Sequence, residues 1–252
     1  MQIDARLGNT MAARITGKTV VVTGGSRGVG LGLVRQFLER ECKVVATTRN
    51  PESADALREL GAAHASRLSV TKLDTSDGAS IKDWAAALRQ SHSHIDVLVN
   101  NAGIYGRRLA LPEFEEQDFL DNFKTNALGP FFVVQQLRAH GLLGPPGGLI
   151  VNMTSVMASH GDTVVSAKTG GGYAYRASKA ALNIINHGLS IDLAPDGIKC
   201  VLMHPGYVAT DMNAFSGWIS IDESASGILG VLESGKEMNG RWYGYDGAEI
   251  PY

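Results

Sequence analysis

Cysteine, net charge and long apolar runs are all scarce in this sequence. Only two of its 252 residues are cysteines, Cys42 and Cys200, and each lies within or beside an apolar run. So few cysteines argue against a disulfide framework and favour two buried free thiols in a reducing compartment. The formal net charge is −2. The chain therefore lacks the basic field that a nucleic-acid or anionic-membrane partner would require.

Segments for targeting, membrane insertion and metal binding are also missing. No stretch approaches the roughly 18 apolar residues of a transmembrane helix, and the N-terminal stretch has no apolar core of a secretory signal. We therefore expect a cytoplasmic protein with no membrane partner. The seven histidines show no metal-ligand spacing, so we predict no metal site.

Short runs rich in β-branched residues alternate with segments of helical periodicity. Several of these runs are almost continuously apolar, which is typical of parallel strands buried on both faces. The alternation predicts an α/β protein: a single-domain Rossmann fold with a doubly wound parallel sheet flanked by helices on both faces. We expect a flexible extension over residues 1–15 and one domain over 16–252. The predicted strands span 19–24, 43–48, 66–73, 95–100, 148–153 and 198–203.

A glycine-rich turn, TGGSRGVG, follows the first predicted strand and opens the first helix. Gly24, Gly28 and Gly30 form a T-G-x-x-x-G-x-G pattern rather than G-x-G-x-x-G. Glycines at such a turn let backbone N–H groups and a helix N-terminus approach a pyrophosphate. The pattern alone is weak, but the strand before it and the helix after it are the context that a dinucleotide site requires.

The end of the second strand indicates which dinucleotide is bound. An acidic residue there favours NAD, and a basic one favours the 2′-phosphate of NADP. Here Arg49 follows the strand, and Arg27 lies inside the glycine turn. Each arginine alone is more typical of solvated surface, but together they favour NADP because guanidinium suits phosphate. Asp74, after the third strand, is equally well interpreted as an adenine ligand or as a turn-capping residue.

The segment YAYRASK contains a candidate acid–base pair. Tyr175 and Lys179 are four residues apart, so on a helix they differ by about 40° around the axis and about 6 Å along it. A tyrosine with a pKa near 10 needs tuning to act near neutrality, and a nearby ammonium supplies it. Tyr173 is about 200° from Tyr175 and cannot share the lysine face, but it can line a pocket from the preceding loop. By spacing alone, ordinary helix surface is the commoner interpretation.

Taken together, these motifs resemble the short-chain dehydrogenase/reductase family over residues 17–252. The segment TGGGYAYRASKAALN and the ending NGRWYGYDGAEIPY narrow the resemblance to C-factor and sniffer-type carbonyl reductases. The family motifs occur in register as TGGSRGVG, NNAG (100–103), KTNALGP (124–130), NMTS (152–155), YRASK (175–179) and HPGYVATDM (204–212).

The resemblance implies four catalytic roles. Tyr175 is the proton donor, and Lys179 lowers its pKa and binds the nicotinamide ribose. Ser155 hydrogen-bonds the substrate carbonyl, and Asn126 holds a water that links Lys179 to solvent. Ser155 as a cap and Asn126 as a partner of local backbone are the structural alternatives.

The resemblance also implies an NADP(H) site and a substrate wall. Thr210 has an alternative role as a helix N-cap. Tyr207, Met212 and Trp218, with Ser155 and Tyr175, are the expected substrate-binding residues, although they can equally well only pack the lid onto the body. The implied cofactor-binding residues are Gly24, Ser26, Arg27, Gly28, Val29, Gly30, Arg49, Asp74, Thr75, Asn101, Ala102, Gly103, Asn126, Tyr175, Lys179, Pro205, Gly206, Val208 and Thr210.

One feature departs from the broad family. Ser155 and Tyr175 are 20 positions apart, longer than is usual, and the extra GDTVVSAKTGGG predicts a loop over the active site. Its glycines suggest mobility. The catalytic residues can align only if this loop folds outward, and whether it is a mobile lid stays open.

From the motifs and the resemblance we expect an NADP-dependent oxidoreductase. Its reaction would be the NADPH-dependent reduction of a small, apolar or aromatic ketone or aldehyde. Two alternatives stay open: a dinucleotide-binding signalling or regulatory protein of the C-factor type with incidental turnover, and an alcohol dehydrogenase working in the oxidative direction. The family resemblance also implies a homodimer or homotetramer that pairs through helices at about 114–140 and 175–194.

Overall fold

A computed structural model describes residues 15–144 and 147–252. Residues 1–14 of the predicted flexible extension lie outside this range. Ile15, the last residue of that extension, is only 2% exposed and belongs to the hydrophobic core. An apolar side chain beside the first strand packs under the sheet because burial removes it from water.

Within the described ranges seven strands form one sheet, and every neighbouring pair is parallel. The order is β3-β2-β1-β4-β5-β6-β7, which confirms the predicted doubly wound fold. The sequence did not predict β7, because three residues are too short to form a recognisable apolar run. The strands are β1 (Thr19–Val22), β2 (Lys43–Thr48), β3 (Leu68–Lys72), β4 (Val97–Asn100), β5 (Gly148–Met153), β6 (Ile198–His204) and β7 (Trp242–Gly244).

Seven α-helices accompany the strands. The helix predicted at about 114–140 is two helices, α4 and α5, joined by a π-helical segment over Lys124–Leu128. The helix predicted at 175–194 begins two residues earlier, so Tyr173 is helical rather than part of the preceding loop. The helices are α1 (Gly28–Glu39), α2 (Asp55–Ala63), α3 (Gly78–Ser91), α4 (Glu116–Phe123), α5 (Gly129–Ala139), α6 (Tyr173–Asp192) and α7 (Ile221–Glu233). None of these described helices has the length and apolar character to cross a membrane.

The sheet is buried on both faces. On one face Val20 and Val22 pack with side chains of α1 and α7. On the other face Val21 packs with side chains of α3 and α5. The free thiols of Cys42 and Cys200 are buried, one on each face, as the sequence predicted. Burial raises the pKa of Cys200 to about 12, so that thiol is unreactive near neutral pH.

Helix α6 packs on the sheet through a largely polar side, whose buried residues include Ser178, Asn183 and Asn186. The amide of Asn152 on β5 lies in a buried ladder. It accepts from Asn100 Nδ2 at 2.8 Å and donates to Asn186 Oδ1 at 2.9 Å. Such amide pairs are stable only when partnered, because a buried polar group without a partner loses its hydration.

The strand order reverses between β1 and β4. In an open parallel sheet this reversal leaves a crevice at the carboxyl ends of the strands, which is where such folds bind ligands. The glycine turn follows β1, and NNAG spans the end of β4. The fold therefore brings the two glycine-containing motifs to one crevice.

Candidate active site

The glycine turn and the NNAG turn are bonded to each other. Thr23 Oγ1 accepts hydrogen bonds from the backbone N–H groups of Asn101 and Ala102, at 3.0 and 3.1 Å. Gly24 has a φ of +66°, and an added Cβ there would lie 3.0 Å from Ala102 Cα. A Cβ on Gly30 would overlap the Gly24 carbonyl oxygen and Asn101 Nδ2. Glycine is required at both positions, so the turn keeps the open backbone that a pyrophosphate needs.

The rim of this crevice gathers several predicted cofactor residues. A Cβ on Gly28, where φ is +55°, would lie 3.5 Å from Thr210 Cγ2. A Cβ on Gly103 would lie 3.1 Å from Asn126 Oδ1 and 3.5 Å from Lys179 Nζ. Segments from five parts of the chain therefore converge. Their glycines leave the space that a bound dinucleotide would occupy.

The residues predicted to bind the adenosine end of the dinucleotide interact with other side chains of the protein. Arg27 Nη1 lies 3.4 Å from Asp211 Oδ2, and both side chains are largely exposed. Such a bridge is worth well under about 1 kcal/mol, so Arg27 can exchange it for a phosphate at little cost. Burial raises the pKa of Asp74, but hydrogen bonds from Ser76 and the charge of Arg49 outweigh it and lower that pKa overall. Asp74 Oδ1 accepts from both Ser76 N and Ser76 Oγ, which is the turn-capping role.

Tyr175 and Lys179 lie together at the carboxyl end of β5. Lys179 Nζ is 5.9 Å from the Tyr175 ring centroid and donates a 2.7 Å hydrogen bond to the Met153 carbonyl oxygen. Burial lowers the pKa of Lys179 to about 8. Burial likewise raises the pKa of Tyr175 to about 12, although a hydrogen bond with Ser155 acts in the opposite direction.

These pKa values differ from the expectation that Lys179 lowers the pKa of Tyr175. The Lys179 ammonium is bonded to a main-chain carbonyl rather than to the phenol, so desolvation dominates at the phenol. Tyr175 is consequently protonated throughout the neutral range, as a proton donor must be. Ser155 Oγ also accepts a 3.3 Å hydrogen bond from Met157 N, so its capping role and its contact with Tyr175 coexist.

Asn126 is fully buried in the π-helical segment. Its Oδ1 accepts from Ile104 N at 2.8 Å, and its Nδ2 donates to Ile104 O at 2.8 Å and to Ser178 Oγ at 3.0 Å. The side chain thus ties α6 to the loop after β4. The main-chain partner, Ile104, is 22 positions away in the sequence, so it is not the local backbone partner of the alternative interpretation.

Tyr105 is the main site residue that sequence reasoning missed. Its ring centroid lies 4.9 Å from that of Tyr175. The Arg108 guanidinium lies 4.8 Å above the Tyr105 ring and donates to the Met212 carbonyl oxygen at 3.3 Å. A stack of this kind joins the loop after β4 to the segment after β6. The sequence feature that could have indicated Tyr105 is its position in the loop after β4, two residues after Gly103 of the NNAG motif.

The other predicted substrate residues pack mainly on each other. The rings of Tyr207 and Trp218 meet edge-on at 5.3 Å, and the Tyr207 hydroxyl bonds to Ser216 Oγ at 2.6 Å. Trp218 is 83% exposed. Tyr173 packs its ring edge-on against Phe114, at 5.4 Å. The lid-packing alternative therefore describes Tyr207 and Trp218 well.

The remaining predicted cofactor residues differ in their bonding and burial. Pro205 O accepts from Ser224 Oγ at 2.6 Å, and Gly206 has a φ of +87°. Val208 is buried, and its carbonyl oxygen accepts from Asn213 Nδ2. Thr210 precedes a short 3-10 turn, and its N–H donates to Asn213 Oδ1, which agrees with a capping role. Thr75 is buried, whereas Ser26 and Val29 are half-buried.

The fold and this crevice define an oxidoreductase of the Rossmann type, and comparison with known proteins gives the family. The family model for short chain dehydrogenase matches residues 18–217. The chain belongs to the short-chain dehydrogenase/reductase family, as the sequence motifs predicted.

Three proteins illustrate the similarity. The C-signal protein of Myxococcus xanthus is 39% identical over 160 residues, which is 63% of this chain and 93% of that protein. An NADPH-bound carbonyl reductase from chicken fatty liver has 31% identity and a TM-score of 0.82, over 94% of this chain and all of that one. The carbonyl reductase Sniffer of D. melanogaster has 29% identity and the same TM-score, again over 94% of this chain and all of its own.

Proposed function

We propose that this protein is an NADPH-dependent carbonyl reductase that acts on a small apolar or aromatic ketone or aldehyde. The observation that carries the proposal is the arrangement of Ser155, Tyr175 and Lys179 beside the glycine crevice. Similarity to carbonyl reductases, one of them NADPH-bound, supports it.

The crevice fits a nicotinamide dinucleotide. Gly24 and Gly30 leave room where any side chain would overlap the backbone, and α1 directs its N-terminal N–H groups toward the same space. Arg27 and Arg49 would hold the 2′-phosphate, and Lys179 the nicotinamide ribose. The bound cofactor supplies the hydride.

The chain's own residues supply the proton and hold the carbonyl. Tyr175 is protonated at neutral pH and donates its phenolic proton to the carbonyl oxygen as negative charge develops there. The Ser155 hydroxyl hydrogen-bonds the same oxygen and stabilises that charge. The ammonium of Lys179, charged below about pH 8, lies 5.9 Å from the Tyr175 ring centroid and attracts the phenolate once the proton has moved, although burial sets the pKa of the resting phenol. The Tyr105 ring lies beside Tyr175 and forms one side of the site.

The test is NADPH oxidation with a panel of small ketones, aldehydes and quinones. Tyr175→Phe should lower kcat by a factor of at least about 100, the usual worth of a positioned acid. Tyr173→Phe is the matched control, because its ring contacts Phe114 rather than Ser155 and its activity should stay near that of wild type. Tight NADPH binding with no carbonyl turned over would refute the proposal, as would full activity in Tyr175→Phe.

The similarity to the C-signal protein favours one alternative, a dinucleotide-binding signalling protein whose turnover is incidental. The alternative predicts that Tyr175→Phe retains the biological effect of the protein, whereas a reductase would lose it. Oxidation of an alcohol by the same residues is distinguished by comparing kcat/KM in the two directions.

We also propose a cytoplasmic homodimer or homotetramer. Large apolar side chains are exposed on the helices that the family resemblance implicates, including Leu120 on α4, Phe132 on α5 and both Ile184 and Ile191 on α6. An interface would bury these side chains and gain about 25 cal/mol per Å² of apolar surface. Light scattering measures the mass, and the monomer mass at micromolar concentration would contradict this part of the proposal.

A further inference from the structure

Several hydrogen bonds hold the segment between Ser155 and α6, and one side chain makes five of them. Residues 156–172 include short 3-10 turns at Val156–Ala158 and Ser166–Lys168 and end on Gly171 and Gly172, both with positive φ. Sequence reasoning raised the possibility that this loop is a mobile lid. Its hydrogen bonds instead converge on Arg176, one residue after Tyr175.

All five N–H donors of the Arg176 guanidinium are used inside this loop. Nε donates to Gly171 O at 3.0 Å. Nη1 donates to Met157 O at 3.0 Å and to Ser166 Oγ at 3.1 Å. Nη2 donates to the carbonyl oxygen and the hydroxyl of Thr169, at 2.6 and 2.7 Å. A guanidinium has five N–H donors in a rigid fork, so no other side chain reproduces this set.

The five hydrogen bonds of Arg176, called the Arg176 clamp from here on, join the two ends of the loop. Met157 is two residues after Ser155, and its N–H donates to Ser155 Oγ. Gly171 is four residues before Tyr175. By bonding both, Arg176 fixes the distance between the two ends of the insertion that separates the catalytic serine from the catalytic tyrosine.

The loop also shapes the wall of the site. A Cβ on Gly172 would lie 2.7 Å from the Tyr105 hydroxyl and 3.4 Å from Met157 Cε, so the end of the loop abuts the ring that stacks on Tyr175. A groove of about 470 Å³ lies beneath the loop, lined in part by Met157, Ser166 and Arg176. Side-chain packing therefore does not fill this region, and the Arg176 guanidinium bonds four loop residues beside it.

We propose that Arg176 is a positioning residue that converts the 156–172 loop from a lid into a fixed wall and holds Ser155 in register with Tyr175. The inference rests on the proposed reductase function. If Arg176 has this role, loss of its hydrogen bonds affects the chemical step and substrate discrimination more than cofactor binding. The reason is that the glycine crevice is built from other segments.

The variants are Arg176→Met, Arg176→Lys and, as the matched control, Arg40→Met. Arg40 is likewise held by several bonds, to Glu233 and Gln36, but at the C-terminal end of α1. Arg176→Met should lower kcat for carbonyl reduction about tenfold to hundredfold, the cost of misplacing reacting groups by about 1 Å. Its KM for NADPH should change less than about twofold. Arg176→Lys, with three donors, should recover only part of kcat.

Loop opening has a readout that does not need turnover. Lys168 is exposed within the clamped loop, and trypsin cleavage after it should accelerate at least about tenfold in Arg176→Met but not in Arg40→Met, because cleavage follows the population of the open loop. Wild-type kcat and wild-type cleavage in Arg176→Met would overturn the inference while leaving the proposed function intact. Absence of carbonyl turnover in the wild type would overturn the proposed function, and the inference with it.

Discussion

The buried ammonium of Lys179 gives a measurable signature in the pH dependence of stability. Lys179 is 6% exposed, and burial lowers its pKa from an ordinary 10.5 to about 8. Below pH 8 the folded protein carries a charge that has lost much of its hydration, at a cost of roughly 3 kcal/mol at about 1.4 kcal/mol per pKa unit. Between pH 8 and 10.5 the unfolded chain binds the proton and the folded protein does not. The free energy of unfolding therefore increases with pH across this range, because the cost of burying the charge on Lys179 disappears.

The perturbation is Lys179→Met, which removes the titrating group and keeps the volume. Its free energy of unfolding relative to wild type should fall by about 2–3 kcal/mol between pH 7 and pH 10, because only the wild type regains the charging cost. This difference is independent of the bond to Met153, since that loss is a constant offset. Urea unfolding at a series of pH values measures it.

Lys82→Met is the matched control, because the side chain of Lys82 on α3 is exposed and keeps its hydration when the protein folds. Its stability should run parallel to that of wild type across the series. A Lys179→Met curve that also runs parallel to wild type would refute the reasoning, since it would mean that the ammonium is not desolvated in the folded protein.

Three further predictions follow from the site and its supports. Carbonyl kcat/KM should fall about tenfold per pH unit above pH 8 as the ammonium of Lys179 is lost, and Lys179→Arg should remove this limb because its charge persists; a flat wild-type profile to pH 10 would contradict it. Gly30→Ala should weaken NADPH binding at least about tenfold in a fluorescence titration, since the added Cβ overlaps the turn, whereas Gly61→Ala meets open space and should bind normally. Asn152→Ala should destabilise by about 1–3 kcal/mol in urea unfolding, because two buried amides lose their partner; an unchanged midpoint would show that the ladder is not required.

The fold followed from patterns that are local in the chain. Apolar runs of strand length predicted six of the seven strands to within about two residues, because a parallel strand buried on both faces must be apolar along its length. Strand β7 escaped because it has only three residues. The π-helical break before α5 escaped because Asn126 bonds to Ile104, a contact that no periodicity records.

The sequence by itself determined the family, the doubly wound sheet and the identity of the candidate catalytic set. Motif spacing carries that information, since Tyr175 and Lys179 share a helix face wherever the helix lies. Only the tertiary structure decided what surrounds them. Burial, not the lysine, dominates the pKa of Tyr175. Tyr105 reaches the site from the loop after β4, and the loop that Arg176 bonds closes onto α6 through contacts between residues distant in the chain. Desolvation and hydrogen-bond geometry exist only once those segments have met.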